Sequence, residues 1–192
     1  LYGDDEQARA LALELYDEFG DVAGVEPEIV MDGGWRGEVH LVPQRPVGEH
    51  RRHLQWALDA QRDIERVLAA LAEHTDKPLR YRHTGLCWRF FDTPGKRTPS
   101  AMALNWVLAY NVRGSLNRSE TSVRELVVHE VFHFHDQAAD HWSRRVLGSI
   151  VDPLVEQCGA DAECLRPYAP NHTRVRGGTW YAFQPNNVDI TH

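Results

Sequence analysis

No apolar run in this chain is long enough to cross a bilayer, so a transmembrane helix is not expected. Basic residues are not in excess either. Lys and Arg total 21 against 28 Asp and Glu, giving a formal net charge of −7. A nucleic-acid partner calls for clustered cations and is not expected on that balance. The pairs Arg51-Arg52 and Arg144-Arg145 fall among acids on expected helices and read as solvated faces. There is no internal repeat and no low-complexity tract. Cysteine is scarce, at three residues. Cys158 and Cys164 enclose a Gly-Ala-Asp-Ala-Glu segment and could pair, leaving Cys87 free, which points to a secreted, periplasmic or extracellular home. Neither an initiator Met nor a signal peptide stands at Leu1-Tyr2-Gly3-Asp4-Asp5, as expected of a mature, processed or trimmed chain. N-x-S/T sequons at Asn117 and Asn171 matter only where the source glycosylates.

What is present suits an α+β domain of 192 residues with 42% apolar content. The spacing of Ala8, Leu11, Leu15 and Phe19 predicts a helix ending before Gly20. Residues 28–31 and 38–42 read as two short strands of a hairpin. A long helix is expected over 50–74, with Leu54, Leu58, Ile64, Val67, Leu68 and Leu71 facing inward. Residues 79–91 are rich in aromatic and branched side chains, and 100–112 reads as one further strand. The organisation expected is a single domain, 1–192. It comprises an N-terminal lobe over 1–121, a helix over 122–147 and a loop-rich C-terminal lobe over 148–192.

Residues 129–133 read His-Glu-Val-Phe-His. Composition alone would produce such a pattern roughly one time in twenty, so its context matters. Ser122 and Glu125 form an S-x-x-E capping box, and neither Gly nor Pro intervenes until Gly148. Val123, Val127, Val131, Phe134 and Ala138 share one side, widened by Val128, Phe132 and Ala139. His129, Glu130, His133, Asp136, Gln137 and Asp140 share the other arc. Histidines four apart lie one turn apart on one face and can offer ring nitrogens to a single ion. Glu130 beside them could take a proton from water activated by that ion.

The motif resembles that of the zincin metallopeptidases, HExxH enzymes that hydrolyse peptide bonds with Zn2+. The resemblance rests on His129, Glu130, Val131, Phe132 and His133, and it implies a zincin-like fold. Such a fold has a small mixed sheet, long helices and a central active-site helix. It implies His129 and His133 as metal ligands, Glu130 as the catalytic base, and an edge strand, here 101–110, that pairs with an extended peptide or protein substrate. The metzincin extension is absent, because Asp136 and Ala139 stand where its Gly and its third ligand belong. Asp136 and Asp140 lie about 10 and about 16 Å along a helix from His129, too far to join both histidines on one ion. Asp136 is instead expected to orient an imidazole by accepting its N–H.

Gluzincins draw a third ligand from a later helix, and the likeness is to that branch. With Gly148 as a helix end and Ser149 as a new cap, Glu156 is the first candidate. Asp152, Glu163, His172, Asp189, His192 and a residue beyond the chain are the alternatives. The HExxHxxD spacing also looks like the anthrax lethal factor-like metallopeptidases, whose third ligand is a Glu farther downstream. Tyr168, His172 and Tyr181 are candidate oxyanion donors, and Trp180, Tyr181 and Phe183 candidate pocket-lining groups. Three readings stand open: a zinc endopeptidase, a zinc hydrolase with another amide or a narrow target, and a noncatalytic interaction domain carrying an accidental or decayed motif.

Overall fold

The computed structural model describes residues 1–33, 37–76, 82–159, 161–169 and 180. They form an α+β chain with the elements α1 (Glu6–Phe19), β1 (Val22–Gly24), β2 (Ile29–Asp32), β3 (Glu38–Pro43), α2 (Arg52–Ala72), β4 (Cys87–Asp92), β5 (Ala101–Leu104), β6 (Val107–Asn111), α3 (Glu120–Ala138), α4 (Trp142–Cys158) and α5 (Ala162–Leu165). The chain divides into two compact units, Leu1–Phe134 and His135–His192. The division falls inside α3.

The first unit is built on a mixed sheet ordered β2-β3-β4-β6-β5, with β1 also pairing to β4. β4 runs parallel to β6 and to β1, and antiparallel to β3. Alternation along β4 and β6 sends Trp88, Phe90, Leu108 and Tyr110 to one face. There they form a single core with Ala8 and Leu15 of α1, Leu54 and Leu58 of α2, and Val123, Val127, Val131 and Phe134 of α3. Phe91 joins Val39 and Leu41 of β3 in a second cluster. The expected β2–β3 hairpin is present, with Ile29 opposite Leu41.

Local chemistry sets most boundaries. Asp5 accepts the Ala8 amide at 3.0 Å and starts α1, and Gly20 ends it at φ 70° with its own amide donating to Tyr16 O. Along α2, Leu54, Leu58 and Ile64 are buried, but Val67 and Leu71 are 58% and 53% exposed, so the inward stripe stops short of the helix end. The single strand expected over 100–112 is two strands. Asn105 and Trp106 adopt φ 51° and 64° and reverse the chain between β5 and β6, as two-residue hairpins require. Within the expected edge strand 101–110, β5 therefore lies at a sheet edge, while β6 is paired on both sides.

The segment entering α3 is pinned from beneath. Asn117 Nδ2 donates to the carbonyls of Ser100 (2.9 Å) and Asn111 (2.7 Å), and Asn117 is 3% exposed. A Cβ on Gly114 would stand 2.9 Å from Ser100 Cα, so only glycine fits this approach. The asparagine of the first sequon is thus buried, with its amide nitrogen donating twice. Asn171 lies outside the described residues.

The second unit contains the end of α3, α4 and α5. Val151, Cys158, Leu165 and Trp180 form its core. Cys158 and Cys164 are disulfide-bonded, and Cys87 is free, as their spacing suggested. Asp161 caps α5 by accepting from Glu163 N at 2.9 Å. Among the described residues, no helix is long and apolar enough to cross a membrane.

Candidate metal centre

α3 begins at Glu120, two residues before the expected start. Ser119, not Ser122, is the cap: its Oγ accepts the Ser122 amide at 3.2 Å, and its carbonyl accepts from Val123 N. Arg124 then pairs with Glu120 at 2.7 Å and with Asp63 of α2, tying the first turns of α3 to the neighbouring helix.

The two histidines of the motif converge. Their Nε2 atoms are 3.0 Å apart, and the rings meet nearly edge-on, with centroids 4.5 Å apart at 87°. Two nitrogens bound to one tetrahedral zinc at about 2.0–2.1 Å would stand about 3.3–3.4 Å apart, so this spacing fits a shared ion after a shift of a few tenths of an ångström. Both rings are half-buried.

Glu130 departs from the expected polar arc. It is 5% exposed and lies between Leu126 and Phe134, buried residues one turn on either side. The core side of α3 comprises Val123, Leu126, Val127, Glu130, Val131 and Phe134. Val128 is 48% exposed, and Ala138 and Ala139 are also exposed. The sequence pattern thus had the correct helix with its buried arc rotated, because a carboxylate was assigned to solvent. A carboxylate is rarely this buried without a partner, which sets Glu130 apart from the apolar residues on the same side of α3.

Phe134, next to His133, is held by a group the sequence did not reveal. Trp106, at the tip of the β5–β6 hairpin, stacks on Phe134 with centroids 5.2 Å apart, and the Arg82 guanidinium lies 4.1 Å from the centroid of the Trp106 ring on its face. The hairpin therefore supports the helix directly behind the second histidine. The available signal was Asn105, since Asn tolerates a left-handed backbone better than most residues.

Beyond Phe134 the expected continuous helix ends. Asp140 and His141 take φ 55° and 50°, and α3 stops at Ala138. Asp136, 3% exposed, turns to this break: its Oδ1 accepts Ser143 N at 2.7 Å, and its Oδ2 lies 3.7 Å from His141 Nδ1. Its role is to cap α4, and the imidazole it faces is that of His141. Gly148 and Ser149, expected to separate two helices, lie inside α4.

The third-ligand candidates do not gather. Glu156 and Asp152 are exposed on α4, Asp152 lies 3.9 Å from Arg144, and Glu163 on α5 accepts from Arg166 at 3.3 Å. His172, Asp189 and His192 lie outside the described residues, as do Tyr181 and Phe183. Among the described residues, no three His, Cys, Asp or Glu side chains come together as an ion-binding group. Tyr168 is exposed, and Trp180 is 5% exposed and donates to Ala162 O, which makes it core rather than pocket lining. A cavity of about 280 Å3 lies against β3, lined by Glu28, Glu38, His40, Val42, Thr93, Pro94 and Lys96. No residue of α3 belongs to it.

A second buried polar cluster sits behind the sheet. His53 is fully buried, with Nδ1 2.9 Å from the Tyr110 hydroxyl, and burial followed by the nearby Arg52 charge lowers its pKa to about 3. Asp21, also fully buried, accepts from Trp88 Nε1, Leu86 N and Gln61 Nε2, yet burial raises its carboxyl above the usual range.

Comparison with known proteins finds no matching family model, no matching curated protein and no matching solved structure.

Proposed function

We propose that the chain is a zinc-dependent metallopeptidase of the zincin kind, with His129 and His133 as metal ligands and Glu130 as the catalytic base. The observation that carries this reading is the 3.0 Å approach of the two Nε2 atoms on one side of a capped, packed helix. Held by His129 and His133, a zinc ion would supply Lewis acidity, activating water and polarising a carbonyl. The protein groups do the rest. Glu130, buried one turn from Leu126 and one turn from Phe134, would accept a proton and return it to the leaving amine. Trp106, stacked on Phe134, supports the helix turn that bears His133.

Glu156 is retained as first candidate for the third ligand, and the substrate is a peptide or protein. A secreted, periplasmic or extracellular home is supported by the Cys158–Cys164 disulfide. A noncatalytic interaction domain is the second reading. It is favoured by the 5% exposure of Glu130, which limits access of a substrate to that carboxylate.

Metal analysis of the purified chain separates the two. The metallopeptidase should carry one zinc per chain, lost in His129→Ala and His133→Ala. It should keep that zinc in Glu130→Gln while peptide cleavage falls by about 10²- to 10⁴-fold. A chain that takes up no zinc, or whose cleavage survives Glu130→Gln, would refute the proposal.

A further inference from the structure

α4 carries two apolar faces. One packs into the core of the second unit, through Val151 and Cys158 with Leu147 and Leu154 beside them. The other runs along Trp142, Val146 and Ile150 at four-residue spacing, with Pro153 completing the line. It is open to solvent: these residues are 48%, 42% and 61% exposed, and Pro153 is exposed as well. Single exposed apolar residues need no explanation, but a helix apolar on two sides is ordinarily covered on both.

Charge indicates what covers the second face. Arg145 and Asp152 lie on the same flank of the line, seven residues and two turns apart, with the base toward the helix start and the acid toward its end. Their present contacts are slight. Arg145 donates to Ala139 O at 3.1 Å on the surface, and Asp152 lies 3.9 Å from Arg144, with both side chains more than half exposed. In an antiparallel pair of helices the same flanks meet. A two-fold axis crossing α4 beside Gly148 and Ser149 would lay Arg145 against Asp152 of the partner subunit, and the symmetry forms that contact twice. The same operation brings the Trp142 end of one line onto the Pro153 end of the other.

We infer that the Trp142–Val146–Ile150 face of α4 is a self-association surface, occupied by α4 of a second copy in antiparallel orientation. A contact between two 17-residue helices is small beside the roughly 1,200 Å2 at the low end of stable interfaces, so the dimer is a weak one.

Sedimentation velocity on the whole chain, from about 1 to 200 μM, tests this. The expected result is a monomer–dimer equilibrium that Ile150→Asp weakens more than tenfold. Arg145→Asp and Asp152→Arg should each weaken it, and the double variant should recover to within about threefold of the parent, because the swapped charges meet again across the axis. All these positions are exposed, and unchanged thermal melting of the dilute variants would show that the fold is intact. A chain that stays monomeric throughout overturns the inference. So does a dimer indifferent to Ile150→Asp, or a double variant no better than the single ones. A monomer that binds anionic phosphatidylglycerol vesicles through this face would assign it to a lipid surface and overturn the inference equally.

Discussion

Acidification is expected to destabilise the first unit through His53. Its ring is wholly buried, edge-on to Trp56 with centroids 5.1 Å apart and hydrogen-bonded with the Tyr110 hydroxyl. The charged or titratable groups around it are Arg52 on α2, His50 just before that helix, and Tyr110 on β6, whose hydroxyl burial keeps protonated. Burial comes first and the Arg52 charge second, and together they hold the His53 pKa at about 3, against about 6.5 in an unfolded chain. Because the folded value of this base is lowered, the unfolded chain binds a proton that the native protein refuses between those two values. The contribution is therefore complete above about pH 6.5 and drains at about 1.4 kcal/mol per pH unit below it, reaching about 3 kcal/mol by pH 4.5.

Urea unfolding followed by circular dichroism, from about pH 7.5 to 4.5, measures this in the parent and in His53→Gln. The parent should lose stability faster than the variant across that range. Burial also lowers the His50 pKa, adding to acid destabilisation, whereas the raised Asp21 pKa acts in the opposite direction. Both groups are present in both proteins and cancel in the difference. Parallel profiles would mean that the native ring accepts a proton, and the argument from burial would fail.

Two further outcomes test the surroundings of the candidate site. Phe134→Ala should cost about 3–5 kcal/mol in urea unfolding, since a ring 1% exposed and stacked on Trp106 leaves a cavity behind His133. A loss below about 1 kcal/mol would show that the hairpin tip does not support the helix. Asp136→Ala removes the cap of α4 and should destabilise the second unit by about 1 kcal/mol or more, read as lost protection of the Ser143 amide in hydrogen exchange. Unchanged exchange there would refute the capping role.

Features that depend on a few neighbouring residues were legible in advance. The β2–β3 hairpin, the termination of α1 at Gly20 and the Cys158–Cys164 bond all follow from short spacings. The break after Ala138 was not legible, because no Gly or Pro marks it. It rests on Asp140 and His141 accepting left-handed backbone while Asp136 secures the next helix. The β5–β6 turn was missed for a related reason: Asn-Trp is not a usual hairpin dipeptide, and the packing of Trp106 on Phe134 supports it from outside the turn.

The His129–His133 pairing needed nothing beyond the sequence, since two residues four apart on any α-helix share a face and their rings can meet. Which arc of that helix would be buried was a tertiary decision. Leu126 and Phe134 pack into one core with the sheet and α2, and Glu130, one turn from each, is buried on the same side. The remainder of a metal site is likewise beyond one helix's reach. Glu156, Asp152 and Glu163 lie beyond the helix break after Ala138, on α4 and α5, and where such groups end up depends on how distant segments pack.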